Sequence, residues 1–600
     1  MANEKKALIE ALQAAMKKRG IAAYLIPSAD PHQSEYVADY WKTRVHFSGF
    51  TGSAGILVVT KEEAGLWTDS RYFLQAEKEL AGSGISLYKQ KVPHAPEHIP
   101  WLAEKLTEKS LVGINGQLFT IGQVKYMKEV FRSKRIKIDS NLRLEDEVWI
   151  KNRPPLPKKT VFELSPKTTG EPRLTKLERI AQVLKEKNAG FQLVSTLDDI
   201  AWILNIRSSD VAYNPVCISY LMVGHILSYL FVDEEKIPAA LQEQLQVDGI
   251  ILKPYEEIIP FLRQLGSKQN VLCDANTISI GLYEAIPSRK RLIGATVSRT
   301  LKAIKNETEI KLIREAMIKD GIALTKLYRW LEDRLKARST TEVEVRKQLD
   351  EFRAGQGDYF GESFAAIVGY KGNGAIIHYR PEEETCATIE QEGMLLLDSG
   401  GQYLQGTTDI TRTTTLGKPT TTQKRHFTLV LKGLIALSSI EFPQGTTGIQ
   451  LDAIARQFLW KEGLNYGHGT GHGVGFFLNV HEPPQGFATT ITTSRGSTAF
   501  EAGMLTSNEP GYYLEGQYGI RLENLILCVP SKNMVADGFL GFESLTLFPI
   551  DQRLLDKNLL EDNELSWLNS YHKKVMDTLS PHLDQDETAW LQDQCKPILK

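Results

Sequence analysis

Residues 467–481 read GHGTGHGVGFFLNVH and hold His468, His472 and His481, three of the chain's 12 histidines, among alternating glycines, with His481 read as the end of an apolar strand. Glycines at every second position let backbone approach another group closely. Histidines at this density point to metal binding or proton transfer rather than to an ordinary core. A phosphate-cradling loop is the rival use of glycine, but no GxxxxGK[ST] pattern exists in the chain. Nor does His481-Glu482 open an HExxH motif, because residue 485 is Gln485. Carboxylates supply the rest. Asp398 closes the apolar run MLLL before a Ser-Gly-Gly turn, and Asp409 stands inside TTDITRT, where every neighbour favours a strand. If the two segments pair as a hairpin, both carboxylates reach one end of a sheet, and two carboxylates held together need a cation between them. Glu509 lies in the turn Ser-Asn-Glu-Pro-Gly. Arg521 and Glu523 alternate in GIRLENLIL, which places both on one face of a strand, with Arg521 orienting its neighbours.

Asp398, Asp409, His472, Glu509 and Glu523 together make four carboxylates and one imidazole. Such a set suits hard or borderline ions, Mn²⁺ first, with Zn²⁺ or Co²⁺ compatible and Mg²⁺ disfavoured by the imidazole. Four negative charges match two dications. Two metals about 3.5–4 Å apart can hold a bridging hydroxide and polarise a carbonyl, which is hydrolase chemistry.

The elements that must position these groups are legible in part. A helix over 5–19 with Leu8, Leu12, Ala15 and Met16 on one face ends at Gly20 and leads to the strand IAAYLI. Residues 174–196 repeat the arrangement, with Leu177, Ile180, Ala181 and Leu184 on the face, Gly190 as the stop and FQLVST as the strand. Two related α/β domains are expected. Between them, residues 152–172 hold five of the 25 prolines and read as a stiff connection. A further boundary falls near 297–305. After it Asn306 and Glu309 form a capping box for a long helix with Ile310, Ile313, Met317, Leu324, Leu327, Leu331 and Leu335 in its stripe. A second helix covers about 341–354. From 364 the pattern turns to strands (FAAIVGY, AIIHYR, GMLLLDSG and the Thr-rich run), and the last 50 residues return to helix.

Composition limits the partners. Lys+Arg 71 against Asp+Glu 73 gives a net charge of −2, so no broad electrostatic grip on nucleic acid or anionic lipid is expected. Apolar residues at 42% and charged residues at 24% are ordinary for a folded chain. Five scattered Cys without a CxxC pair indicate neither a disulfide framework nor a thiolate zinc site. No secretory leader and no stretch of 18 apolar residues stands out, which predicts a cytoplasmic protein without a membrane span.

The stretches LLLDSG, GTTDITRT, YGHGTGHGVGFFLNVHEPP, NEPGYY and GIRLEN, with HYRP before them, resemble the Xaa-Pro aminopeptidases within the creatinase/prolidase pita-bread metallopeptidases. The likeness is closest over about 301–550, and FSGFTGSAG and LWTDSRYFLQAE extend it to the N-terminal region. The resemblance implies an α/β fold with an α+β catalytic domain. Its divisions would be creatinase-like domains at 1–153 and 154–300, then a pita-bread domain at 301–600 with an extension over about 551–600. It implies that Asp398 binds one metal and His472 and Glu509 the other, with Asp409 and Glu523 bridging. Glu509 would be the base for the bridging water, and His378 and His481 the substrate-facing histidines. His468 would be a further site histidine and Arg521 the arginine beside the last ligand. The implied reaction removes an N-terminal residue that precedes proline, in a homodimer. Prolidase, acting on Xaa-Pro dipeptides, is the near alternative. Methionine aminopeptidase leaves two large preceding domains without a use, and a non-catalytic peptide-binding module predicts missing ligands.

Overall fold

A computed structural model describes residues 2–92, 95–266, 270–491, 494–531 and 537–599. The chain forms two compact units, Met1–Ser165 with Glu171–Arg299, and Pro166–Gly170 with Thr300–Lys600.

In the first unit the helix–strand arrangement recurs as whole sheets. Helix α1 (Ala2–Lys18) buries Ile9, Leu12 and Met16, and Gly20 takes the left-handed turn with φ 68° before strand β1 (Ala23–Pro27). β2 (Ile56–Thr60), β3 (Ala64–Thr68), β4 (Ile85–Lys89), β5 (Leu111–Ile114) and β6 (Lys137–Asp139) complete a sheet of order β4-β3-β2-β1-β5-β6. Helix α2 (Arg173–Glu186) buries Leu177, Ile180, Ala181 and Leu184. Its stop differs from the expected Gly190: Asn188 takes the left-handed conformation, φ 51°, which asparagine tolerates, and the Gly190 N–H donates to the Asn270 carbonyl. The second sheet contains β7 (Phe191–Val194), β8 (Tyr220–Gly224), β9 (Ser228–Phe231), β10 (Ile250–Lys253), β11 (Val271–Cys273) and β12 (Arg291–Ile293) in the order β10-β9-β8-β7-β11-β12. Parallel and antiparallel pairings match the first sheet strand for strand. The repeat is therefore one of topology, not of a local pattern.

The second unit opens with α3 (Glu307–Ala337). Asn306 accepts from the Glu309 N–H and Glu309 returns a bond to the Asn306 N–H, and Ile313, Met317, Leu324, Leu327 and Leu331 are buried. α4 (Glu342–Ala354) follows. β13 (Ile367–Tyr370), β14 (Met394–Ser399) and β17 (Ile410–Thr415) form an antiparallel sheet, and the small hairpin β15 (Gly401–Tyr403) and β16 (Gly406–Thr407) lies between the last two in sequence. Helices α5 (Thr421–Ser439) and α6 (Gly448–Trp460) precede the remaining strands. These are β18 (Gly471–Gly473), β19 (Glu482–Phe487), β20 (Leu505–Asn508), β21 (Gly511–Leu514), β22 (Tyr518–Arg521), β23 (Asn524–Pro530) and β24 (Phe539–Ser544). β21 and β22 pair alone, and the others make a six-stranded sheet with Phe442–Pro443 at its edge. C-terminal α7 (Asp562–Leu579) puts Leu568, Val575 and Leu579 into the core that also holds Phe427, Leu434, Leu505 and Leu527, so the last residues belong to this unit's interior. No helix among the described residues is long and apolar enough to cross a membrane.

Two expected strands are absent. AIIHYR (375–380) is a bend and turn at the end of the 3-10 helix Lys371–Ala375, and the Tyr379 hydroxyl and the nearby Asn373 amide donate to a buried carboxylate instead of the segment joining a ladder. His481 does not end an apolar strand. Residues 476–481 bend, Phe477 has φ 47°, and the Leu478 carbonyl accepts from Gln402 and Thr407 side chains, so the strand begins only at Glu482.

Candidate active site

β14 and β17 run antiparallel with Asp398 opposite Thr411 and Ser399 opposite Ile410. Asp409 therefore sits just past the paired residues, at the same end of the sheet as Asp398. It is not inside a strand: Thr408 and Asp409 interrupt β16 and β17. The break frees the Asp409 backbone from the ladder and lets the buried side chain, 3% exposed, face inward. A similar break corrects the expectation for Arg521 and Glu523. Arg521 ends β22, whereas Leu522 and Glu523 lie between β22 and β23, with the Glu523 N–H donating to the Thr411 carbonyl at 3.0 Å. Glu509 follows β20 in the two-residue connection to β21, its N–H held by the Thr470 carbonyl at 2.8 Å.

His472 lies in β18. Its Nδ1 is 2.9 Å from the Gly473 carbonyl, which can only accept, so Nδ1 carries the proton and the Nε2 lone pair points the other way. Nε2 is 3.5 Å from Asp409 Oδ2 and 3.6 Å from Glu509 Oε1. Ligand atoms of Asp409, His472 and Glu523 lie within 4.8 Å of one another. Thr411 Oγ1 donates to Glu523 Oε2 at 2.7 Å, and Arg521 Nη2 donates to Asp398 Oδ2, leaving buried Asp398 Oδ1 without a hydrogen bond.

The electrostatics test whether these residues suit a divalent ion. Burial, then repulsion from Glu523, Asp398 and Glu509, pushes Asp409 well above the usual carboxylate range. Burial and then Glu509 and Asp398 do the same to Glu523. Burial raises Glu509 to about 7, with Arg521 opposing. Three buried carboxylates and the partly buried Glu509, around one imidazole nitrogen, are unfavourable alone and match a multiply charged cation. The orphaned Asp398 oxygen fits the same demand.

The remaining expected residues stand around this centre. His481 packs its ring against His472, edge to face, at 4.2 Å. His468 Nδ1 is 2.8 Å from the Gly469 carbonyl, so Nε2 accepts from the Tyr513 hydroxyl at 2.8 Å. Tyr513 in turn accepts from Arg521 Nη1 at 2.6 Å, which links His468 through Tyr513 and Arg521 to Asp398. His378 is carried separately, half-buried, on the turn after β13, the strand that pairs with Asp398 through Ile367. Tyr513 escaped the sequence reading; its one signal is a place in NEPGYY, opposite the strand that brings Arg521.

Arg412 is a second residue the sequence does not flag. Its Nη1 donates to the Glu523 carbonyl at 2.7 Å and the Thr411 carbonyl at 3.0 Å. Nη2 donates to Asn524 Oδ1, the Phe548 carbonyl and the Tyr571 hydroxyl, each at 2.8 Å, and Nε to the Pro549 carbonyl at 3.1 Å. The backbone on both sides of the centre is thereby fastened to the segment after β24.

Residues 311–530 match the model of metallopeptidase family M24, and 538–598 that of the C-terminal region of that peptidase. Residues 9–143 and 152–309 each match a creatinase/prolidase N-terminal domain. The chain is 39% identical over 612 residues to Xaa-Pro aminopeptidase 1 of Dictyostelium discoideum, covering 98% of this chain and 96% of the relative. It is 40% identical over 619 residues to aminopeptidase P2 of Arabidopsis thaliana, covering 97% and 86%. Among solved structures, the X-prolyl aminopeptidase of Caenorhabditis elegans, described as a cytosolic enzyme with a di-nuclear active site, superposes with a TM-score of 0.95 at 35% identity over 100% of both chains. Full-length identity at this level, over a centre of buried carboxylates and histidine, shows that the chain belongs to the Xaa-Pro aminopeptidases of metallopeptidase family M24.

Proposed function

We propose that this protein hydrolyses the peptide bond between an N-terminal residue and a proline in second position. The observation that carries this is the convergence of Asp409, His472, Glu509 and Glu523 on one buried point, with Asp398 held beside it by Arg521. Asp398, Asp409, His472, Glu509 and Glu523 would together hold two divalent ions, Mn²⁺ by preference. Such ions supply Lewis acidity toward a carbonyl and toward water. The chain's own residues do the rest. Glu509 receives the proton of the attacking water. His481, packed on His472, orients or protonates the prolyl nitrogen as it leaves. His378 donates to the oxygen that gains charge at the scissile carbonyl. Arg521 holds the Asp398 carboxylate by a charge-assisted hydrogen bond, and His468 and Tyr513 hold Arg521 in place.

An Xaa-Pro bond is a tertiary amide without an N–H, and general peptidases that hydrogen-bond that group fit it poorly. The full-length identity to Xaa-Pro aminopeptidases supports a peptide substrate over the dipeptide of a prolidase. Release of the first residue from Xaa-Pro-Yaa, with Mn²⁺ and not with chelator, is the expected result. Release from Xaa-Pro alone would favour prolidase. The same proposal divides the chain at 1–153, 154–300 and 301–600, supported by family matches that begin at residues 9, 152 and 311. It places the enzyme in the cytoplasm as a homodimer, which light scattering of the purified protein tests.

A further inference from the structure

Residues 371–387 leave β13 and return to the short strand Thr388–Ile389, carrying His378 on the way. One side chain gathers this excursion. Glu342, the first residue of α4, is 0% exposed. Its Oε1 accepts from the Tyr370 N–H at 2.8 Å, where the loop leaves the strand, and from Asn373 Nδ2 at 3.0 Å. Its Oε2 accepts from the Tyr379 hydroxyl at 2.7 Å in the middle, and from the Ala387 N–H at 2.7 Å where the loop ends. Asn373 Nδ2 also donates to the Tyr379 oxygen at 3.1 Å. Beginning, middle and end of the loop therefore converge on one buried carboxylate, while residues 382–385 lie exposed.

Tyr379 is covalently next to His378, so its hydroxyl is the bond that fixes the part of the loop bearing that histidine. Burial, then the bond to Glu342, raises the Tyr379 pKa, so the hydroxyl stays a donor. Such a clasp removes freedom a surface loop otherwise keeps, and an imidazole that must meet a developing charge gains from that order. We propose that Glu342 and Tyr379 are positioning residues of the reaction, a buried anion and its latch that hold the His378 loop in its working place. The inference rests on the substrate-facing role proposed for His378.

Tyr379→Phe is the mild perturbation, because it keeps the ring and deletes only the donor. It should lower kcat on Xaa-Pro-Yaa about tenfold, as expected for a lost bond to a charged acceptor, with KM within about twofold. The melting temperature should stay within about 3 °C of the parent. Glu342→Gln turns an amide NH₂ toward donors and should lower kcat further. On a His378→Ala background, Tyr379→Phe should change kcat less than about twofold, because it acts through that histidine. Amide hydrogen exchange in 376–387 should quicken at least about tenfold in Tyr379→Phe. Unchanged kcat in Tyr379→Phe beside an impaired His378→Ala overturns this inference alone. So does the full tenfold loss persisting without His378, or exchange at the parent rate. A His378→Ala enzyme with normal kcat overturns the histidine's role and the inference with it; faster exchange in Tyr379→Phe would then identify the clasp as structural only.

Discussion

His481 is followed by a buried charge cluster whose arithmetic can be tested. The Glu482 side chain is 0% exposed, with Lys302 Nζ 3.1 Å from Oε2 and Lys305 Nζ 2.5 Å from Oε1, each lysine side chain 1% exposed. Lys305 also donates to the Lys302 carbonyl at 3.1 Å, and its backbone N–H to the Gly503 carbonyl at 2.9 Å, just ahead of the strand that leads to Glu509. Two ammonium groups share one carboxylate. Glu482→Gln removes the shared anion and leaves both cations buried; breaking a buried pair from one side costs about 3–5 kcal/mol. Lys305→Met leaves the Lys302–Glu482 pair neutral, so it loses hydrogen bonds but strands no charge, at about 1–2 kcal/mol. With a urea dependence of about 3 kcal/mol per molar, the unfolding midpoint should fall by about 1.3 M for Glu482→Gln and by about 0.5 M for Lys305→Met. Tryptophan fluorescence follows the transition, the chain holding 9 Trp. Equal shifts in the two variants, or a larger one for Lys305→Met, would refute the charge count.

Glu509→Gln should retain the melting transition and lose at least about a hundredfold in kcat on Xaa-Pro-Yaa, and substantial residual turnover would remove Glu509 as the proton acceptor. Chelation should abolish turnover and also lower the melting temperature, because the buried carboxylates are left to repel one another. Restoring Mn²⁺ at about 100 times its dissociation constant should return about 2.7 kcal/mol, and a melting temperature indifferent to metal would argue against the ligand set. Buried His572, whose Nε2 accepts the Ile550 N–H, has its pKa lowered by burial to about 4. The unfolded chain, near 6.5, takes up that proton first, so stability is full above about 6.5 and is lost as pH falls toward 4; between pH 7 and 5 the loss is about 2 kcal/mol. Replacing His572 with Gln should flatten the dependence of the unfolding midpoint by that amount, and an unchanged slope would count against it.

Features with local causes are legible in the sequence. Asn306 and Glu309 are three residues apart and cap a helix wherever that helix goes. The face of Leu177, Ile180 and Leu184 needs only a 3.6-residue period. The ligands are legible by type, because carboxylates among strand-forming residues and histidines among glycines are out of place unless something binds them. What local patterns miss is set by distant partners. Asp409 and Glu523 sit in strand breaks made by contacts such as Thr411 to Glu523, 112 positions apart. The same separation hides Tyr513, which meets His468 across 45 positions, and Tyr379, which meets Glu342 across 37. His481 precedes a strand instead of ending one, because Gln402 and Thr407 capture the Leu478 carbonyl and the chain bends there.

Arg412 gives the centre a boundary that its ligands do not reveal. A chain cut after residue 530 would retain Asp398, Asp409, His472, Glu509 and Glu523. It would lose the Phe548 and Pro549 carbonyls and the Tyr571 hydroxyl, and with them three of the acceptors that hold the Arg412 guanidinium against the Glu523 backbone. A freed guanidinium in that interior must find water, and the strand it braces goes with it. Truncation beyond the last ligand is therefore expected to damage the centre although every ligand remains, and a functional fragment of the catalytic unit is expected to run at least to Tyr571.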